Sequence, residues 1–398
     1  MRGRLVALAL VTALFFVWGF LTSLNSILVP YFMRVFDLGY TGGALVQFAF
    51  FLAYFVLSLP SGRLLASVGY QRGIVLGLAL AGVGAFLFYP AASLLSYPFF
   101  LAGLFVLAAG ITLLQVAANP YVAALGPSET APSRLNLTQA FNSLGTTVAP
   151  VLGGLVILSH GAAATRQIEV YAVRMPYLGL AILLFAFAVV MALYPLPALA
   201  GVQGEKTGSF RDALRVRHLR LAMLGIFVYV GAEVTIGGFL VNFLALPRIA
   251  ALSSEAAARY VSYYWGAAMI GRFIGSGLLR KWKAGGMLAA SAAAATLLVI
   301  VAVLTSDGIA MWSLIAVGLF NSIMFPTIFA LGIDGLGPLT SRGSSLLVMS
   351  VVGGAIVPLA IGAIADITGI QGALAPLLIC YLYILYYGAR GSRRPAAA

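Results

Sequence analysis

Apolar residues run almost unbroken along this chain, in stretches separated by short polar or turn-forming segments. The stretches fall near 7–33, 41–66, 72–91, 97–124, 133–158, 176–195, 218–246, 258–280, 284–304, 309–333, 343–365 and 371–389. Each is about the 20 residues a helix needs to cross a bilayer, or longer. The runs are continuous rather than alternating over about ten residues, so they predict helices and not barrel strands. The expected architecture is an all-α membrane protein with twelve transmembrane helices. The polar stretch 196–217, entered through PLPALAGVQGEKTGS, reads as a linker between a bundle over 1–195 and another over 218–398.

Polar positions inside the apolar stretches carry the chemistry. GITLLQVAANPYVAALGP, starting at Gly110, contains Gln115 and Asn119; SRLNLTQAFNSLGTTVAP, ending at Pro150, contains Asn136, Gln139 and Asn142. An uncharged amide in hydrocarbon needs hydrogen-bond partners. Three-residue spacing puts Asn136, Gln139 and Asn142 on one helical face. Interhelical bonding would account for such a stripe; so would a neutral ligand rich in hydroxyl groups, and a sugar is the first candidate. Gln139 and Asn142, with Gln115 beside them, are candidates for ligand contact as well as for interhelical bonding, and the family motif described below favours contact. Asn119 precedes Pro120, where a bend is equally good cause for an amide. Asn25, Asn242 and Asn321 are further candidates from other spans. Aromatic rings cover the C–H face of a sugar, which brings in Trp265, and with it Trp18, Tyr54, Phe141, Tyr229 and Tyr264.

Composition and charge fix the class. The chain is 62% hydrophobic and 8% charged, far from soluble statistics. Its net charge of +13 would suit nucleic acid if it were patchy, but it is distributed by sidedness. With the N-terminus inside, seventeen Lys and Arg fall in inner loops and tails; only Arg34, Arg166, Arg174, Arg248 and Arg259 fall outside. Both termini are therefore expected in the cytoplasm, with the basic residues facing anionic lipid headgroups and no nucleic-acid partner. The MRGR start reads as a retained first helix rather than a cleaved signal. One cysteine, Cys380, gives no intrachain disulfide; His160 and His218 read as isolated surface histidines, so no metal site and no cofactor are expected. No G-x-x-x-x-G-K-[ST] occurs, which argues against a primary ATP-driven pump.

The chain also repeats itself. Arg134 and Arg342 are 208 residues apart, as are Pro150 and Pro358, and both pairs sit in matching text. Gly62-Arg63 returns as Gly271-Arg272, and Pro120 as Pro326. Two parallel six-helix bundles are the layout of the major facilitator superfamily, whose substrate site lies at the midplane. FFVWGFLTSLNSILVP, GITLLQVAANPYVAALGP, SRLNLTQAFNSLGT, YVGAEVTIGGFLVNF, GRFIGS and FPTIFALGI resemble, in order, the bacterial fucose and glucose/galactose symporter family. The resemblance is nearer its glucose/galactose/N-acetylglucosamine type. It implies a monomeric hexose or amino-hexose transporter of the bacterial inner membrane, usually proton-coupled, with no enzymatic step. Two alternatives remain: an exporter of lipids or drugs with the same fold, and a sugar sensor that binds without transport.

Departures from the family pattern bear on coupling. Family members commonly read Leu-Asn-Asp in the first span, with the Asp tied to the proton. This chain reads Leu24-Asn25-Ser26, and the fucose-type Glu is replaced by Gln115. Serine does not titrate near neutral pH. One acid remains deep in a span, Glu233, the repeat counterpart of Asn25. It reads as a sugar contact, as the remaining proton-coupling candidate, or as half of a structural pair. Arg63 and Arg272 are expected at cytoplasmic span ends, Arg134 and Arg342 at span starts, all four as gating candidates. In the first signature loop Ala66 stands where an Asp is usual.

Overall fold

The computed structural model describes residues 2–38, 40–157, 173–197 and 208–393; the side chains of some further positions, Asn25 and Ser26 among them, lie outside the described part, as does His160. Among the described residues every regular element is a helix. The first half holds α1 (Arg2–Val35), α2 (Tyr40–Val68), α3 (Tyr70–Phe86), α4 (Phe88–Ser93), α5 (Tyr97–Ala124), α6 (Ala131–Ile157) and α7 (Arg174–Leu193). Then come α8 (Phe210–Arg215), α9 (Arg217–Ala245), α10 (Ser254–Leu278), α11 (Ala284–Leu304) and α12 (Asp307–Asn321). The last are α13 (Met324–Ile333), α14 (Thr340–Met349), α15 (Gly353–Thr368), α16 (Ile370–Ala373) and α17 (Leu377–Tyr386). Helices satisfy their own backbone groups, which lipid demands; Pro60, Pro120 and Pro358 are accommodated inside them.

Ten stretches among the described residues are long and apolar enough to cross a membrane. The spans over α6, with 27 residues, and α10, with 25, are the two of the expected twelve not among these, and each includes side chains outside the described part. α6 carries the amide stripe, and α10 carries Glu255, Arg259 and Arg272.

The chain packs as two compact units, the first comprising Met1–Leu125, Leu144–Ser209 and Gly337–Met349. Its centre is the α3–α5 seam. A Cβ on Gly110 would lie 2.6 Å from the Gly77 carbonyl oxygen and 2.7 Å from Ala81 Cα, so the backbones themselves touch. The Phe88 and Tyr177 rings stack at 3.8 Å between centroids. Gln71 ties the start of α3 to the end of α7, donating to the carbonyls of Met191 (3.0 Å) and Tyr194 (2.9 Å). On α6, Gly145 sits against the Phe16 carbonyl of α1.

The second unit comprises Gly126–Ser143, Phe210–Leu336 and Ser350–Ala398. Gly353 sits against the Phe227 carbonyl of α9, and a Cβ there would lie 2.7 Å from that carbonyl carbon. Gly145 and Gly353 are 208 residues apart, so the sequence repeat recurs as one contact made twice, once in each unit. His218 is not at the surface as expected. It is 6% exposed, with Nε2 3.0 Å from the Asp334 carbonyl oxygen. The carbonyl gives the imidazole a partner, and that makes burial affordable.

Candidate substrate site

The amide stripe turns inward. Asn136, Gln139 and Asn142 are 0%, 5% and 9% exposed, and Ser133, Thr138 and Ser143 on the same helix are buried with them. Asn136 serves structure: its Nδ2 donates to the Pro132 carbonyl at 2.9 Å and to Thr327 Oγ1 at 3.4 Å. The first part of α6 is fastened to α10 by Ser133, whose hydroxyl donates to the Ser276 carbonyl at 2.6 Å. The Phe141 and Phe273 rings meet edge to face at 5.8 Å. The first part of α6 and α10 therefore cover polar side chains of one another within the second unit.

Glu233, half-buried midway along α9, is the centre of a polar cluster in that unit. Tyr229, one turn earlier, donates its hydroxyl to Glu233 Oε1 at 2.7 Å, and the same hydroxyl lies 3.0 Å from the Asn321 carbonyl oxygen. Asn321 Nδ2 donates to Tyr264 Oη at 2.9 Å. The guanidinium of Arg272 approaches Glu233 Oε1 at 3.8 Å, the two side chains being 11% and 13% exposed. It also donates through Nε to the Ser322 carbonyl (3.2 Å), and through Nη1 to the Gln139 carbonyl (3.3 Å) and the Ser143 hydroxyl. A planar fork with five donors can hold four such partners at once; an ammonium cannot. Arg272 thus lies inside α10 as the partner of Glu233, and the Gly-Arg motif that suggested a span-end role gave no sign of it. Ser143 is likewise a site neighbour that the sequence reading passed over.

The first unit holds a simpler version. Gln115 Nε2 donates to Tyr54 Oη at 2.5 Å. Gln115 with Tyr54 and Asn321 with Tyr264 are separated by close to the repeat period, so each unit contains an amide donating to a tyrosine hydroxyl at the matching place. Asn119 is 0% exposed, and neither atom of its amide has a hydrogen-bond partner among the described residues.

Other candidates lie elsewhere. Asn242 is exposed, and Trp265 is 39% exposed while its neighbour Tyr264 is fully buried. Arg134 is engaged locally, donating to Thr130 Oγ1 (2.5 Å) and the Pro127 carbonyl (2.9 Å) at the start of its own helix. Arg63 is exposed near the end of α2, and Arg342 is half-buried in α14. Asn25 and Ser26 belong to α1, but their side chains are outside the described part. A carboxylate, amides and hydroxyls fixed in this way offer both donors and acceptors to a ligand's hydroxyl groups.

A model of the Major Facilitator Superfamily matches residues 10–358. The chain belongs to that superfamily. Within it, the chain is 54% identical over 391 residues to a protein of Brucella abortus biovar 1 (strain 9-941) named glucose/galactose transporter, covering 97% of this chain and 94% of that one. It is 36% identical over 389 residues to the L-fucose-proton symporter of Escherichia coli (strain K12), covering 92% and 89% respectively. The crystal structure of the superfamily transporter FucP in the outward conformation superposes with a TM-score of 0.91 at 34% identity, over 99% of this chain and 100% of that one. The expected resemblance to the fucose and glucose/galactose symporters holds across nearly the whole chain. It is a multi-pass membrane transporter of this superfamily, not an enzyme.

Proposed function

We propose that this chain moves a neutral hexose or amino-hexose of the glucose/galactose kind across the bacterial inner membrane by alternating access. In this reading it works as a monomer of twelve spans, six over 1–195 and six over 218–398, joined by the linker 196–217 and with both termini in the cytoplasm. Membrane lipids surround it and no cofactor takes part. Gln139, Asn142, Gln115, Asn119, Asn25, Glu233, Asn242, Asn321 and Trp265 are its proposed substrate contacts, and Arg63, Arg134, Arg272 and Arg342 its proposed gating residues.

The observation that carries this reading is the inward-facing stripe of α6, with Gln139 and Ser143 gripped by the arginine that pairs with Glu233. A cluster so rich in donors and acceptors suits hydroxyl groups. It suits a lipid or drug exporter poorly, since each unmatched buried polar group weakens binding of an apolar ligand. The name of the Brucella relative points the same way. Counterflow in proteoliposomes tests it: trans-loaded unlabelled glucose or galactose should drive transient uptake of the labelled sugar. Sugar binding without exchange would make the protein a sensor, and exchange of apolar dyes instead of sugars would make it an exporter.

A further inference from the structure

Coupling to protons requires a group that takes up a proton on one side and gives it up on the other. Of the ten acidic residues in the chain, nine fall in loops or near span ends, and Glu233 alone lies deep in a span. Ser26 and Gln115 cannot titrate in the working range. The question therefore narrows to whether Glu233 is free to change its charge.

The groups around it say that it is not. Arg272 stands 3.8 Å from the carboxylate, and guanidinium keeps its charge in any protein environment. Every other partner of Arg272 among the described residues is neutral: the carbonyls of Ser322 and Gln139 and the hydroxyl of Ser143. Protonating Glu233 would leave a cation inside the membrane, 11% exposed, with no anion among the described residues to balance it. The carboxylate oxygen nearest Arg272 also accepts from the Tyr229 hydroxyl at 2.7 Å, which fixes its orientation. Among the described residues, Tyr264 and Tyr381 are the remaining titratable groups that interact with it electrostatically, and both are phenols. Across the unit the cluster holds one negative and one positive charge, and those cancel.

We infer that Glu233 and Arg272 form a fixed, charge-neutral element of the substrate site, and that this chain therefore carries its sugar without a proton. This rests on the sugar-transport reading above and makes the chain an equilibrating carrier, unlike the relative named a fucose-proton symporter. Arg272 is then a positioning residue: it orients the carboxylate and ties it to Gln139 and Ser143.

Two measurements test this on the full-length protein. In proteoliposomes, an inward proton gradient should leave labelled glucose or galactose at its equilibrium level, with counterflow intact. Gradient-driven accumulation that Glu233→Gln removes would overturn the inference. The second readout needs no sugar. Infrared difference spectra between mildly acidic and mildly alkaline pH should lack a protonated-carboxyl band from Glu233 in the native protein. Arg272→Gln should bring that band in, and Arg272→Gln/Glu233→Gln should remove it again. A native band that Glu233→Gln abolishes would overturn the inference even if no hexose is exchanged, and failure of exchange alone would count against the sugar reading instead. Arg272→Lys, which keeps the charge, guards against misfolding of the neutral variant. It should keep the band absent while sugar affinity falls at least about tenfold, because one ammonium cannot replace the fork.

Discussion

Tyr54 shows how much one hydroxyl can hold in a dry interior. Its oxygen takes a hydrogen bond from the Gln115 amide, and both side chains are almost wholly buried. Removing it leaves that donor with nothing to bond. An orphaned buried donor costs about 1–3 kcal/mol, whereas removing both members of a bonded pair is nearly neutral. Tyr54→Phe should therefore lower the thermal midpoint of the detergent-solubilised protein clearly, and Tyr54→Phe/Gln115→Leu should recover part of the loss. Equal midpoints for the single and double variants would show that Gln115 finds another partner. The residue scale is also where the sequence is hardest to read. Glu233 stands out as an acid deep in a span, but its partner Arg272 comes from another helix and sits in a glycine-arginine motif that suggests a loop role. Only the packing of α10 on α9 reveals that the two charges cancel. Asn136 and Gln139 look alike as letters three apart on one face, yet Thr327 claims the first as a structural amide.

Helices make contact through glycine in this protein, and the contacts differ in what they tolerate. At Gly145 and Gly353 an added methyl group would meet the backbone of a neighbouring helix, and backbone does not move aside. Gly179, exposed on α7, has nothing within 4 Å of where a Cβ would stand. The same substitution should then have opposite signs. Gly353→Ala should destabilise by about 1–3 kcal/mol through overpacking, while Gly179→Ala should gain up to about 1 kcal/mol from lower unfolded-chain entropy. Thermal unfolding of the purified variants decides it; a loss at both positions would mean that helix propensity is not what sets the result at Gly179. Most of the elements were legible beforehand, because continuous apolar runs have few alternatives in lipid. The repeat was legible too, and the twin glycine contacts give it a physical meaning: the same close approach is needed in each unit. His218 was misread because an isolated histidine beside arginines looks solvent-facing, and its Asp334 carbonyl partner lies far along the chain.

At the scale of the whole molecule the open question is the number of crossings, and it comes down to α6 and α10. Both carry polar side chains, and some of these are satisfied across the pair through Ser133 with Ser276 and Arg272 with Gln139 and Ser143, while Phe141 packs on Phe273. A helix whose polar face is covered by protein need not be apolar on that face to sit in a bilayer. Both should therefore cross, and the bias of basic residues then sets their sense. With the single cysteine Cys380 replaced by serine, new cysteines on either side of each helix report its crossing. An impermeant maleimide applied to intact cells should label Met175→Cys and Ser253→Cys, positions that are exposed beyond α6 and before α10. Ser128→Cys and Lys281→Cys, exposed at the opposite ends of those helices, should react only after the membrane is opened. If α6 failed to cross, Ser128 and Met175 would label from the same side; if α10 failed, Ser253 and Lys281 would. Either result would leave charged and amide side chains of the proposed site in water, where the 3.8 Å separation of Glu233 and Arg272 would be worth little. The sidedness of four cysteines thus tests, in one experiment, the crossing number and the premise that this ion pair is held away from solvent.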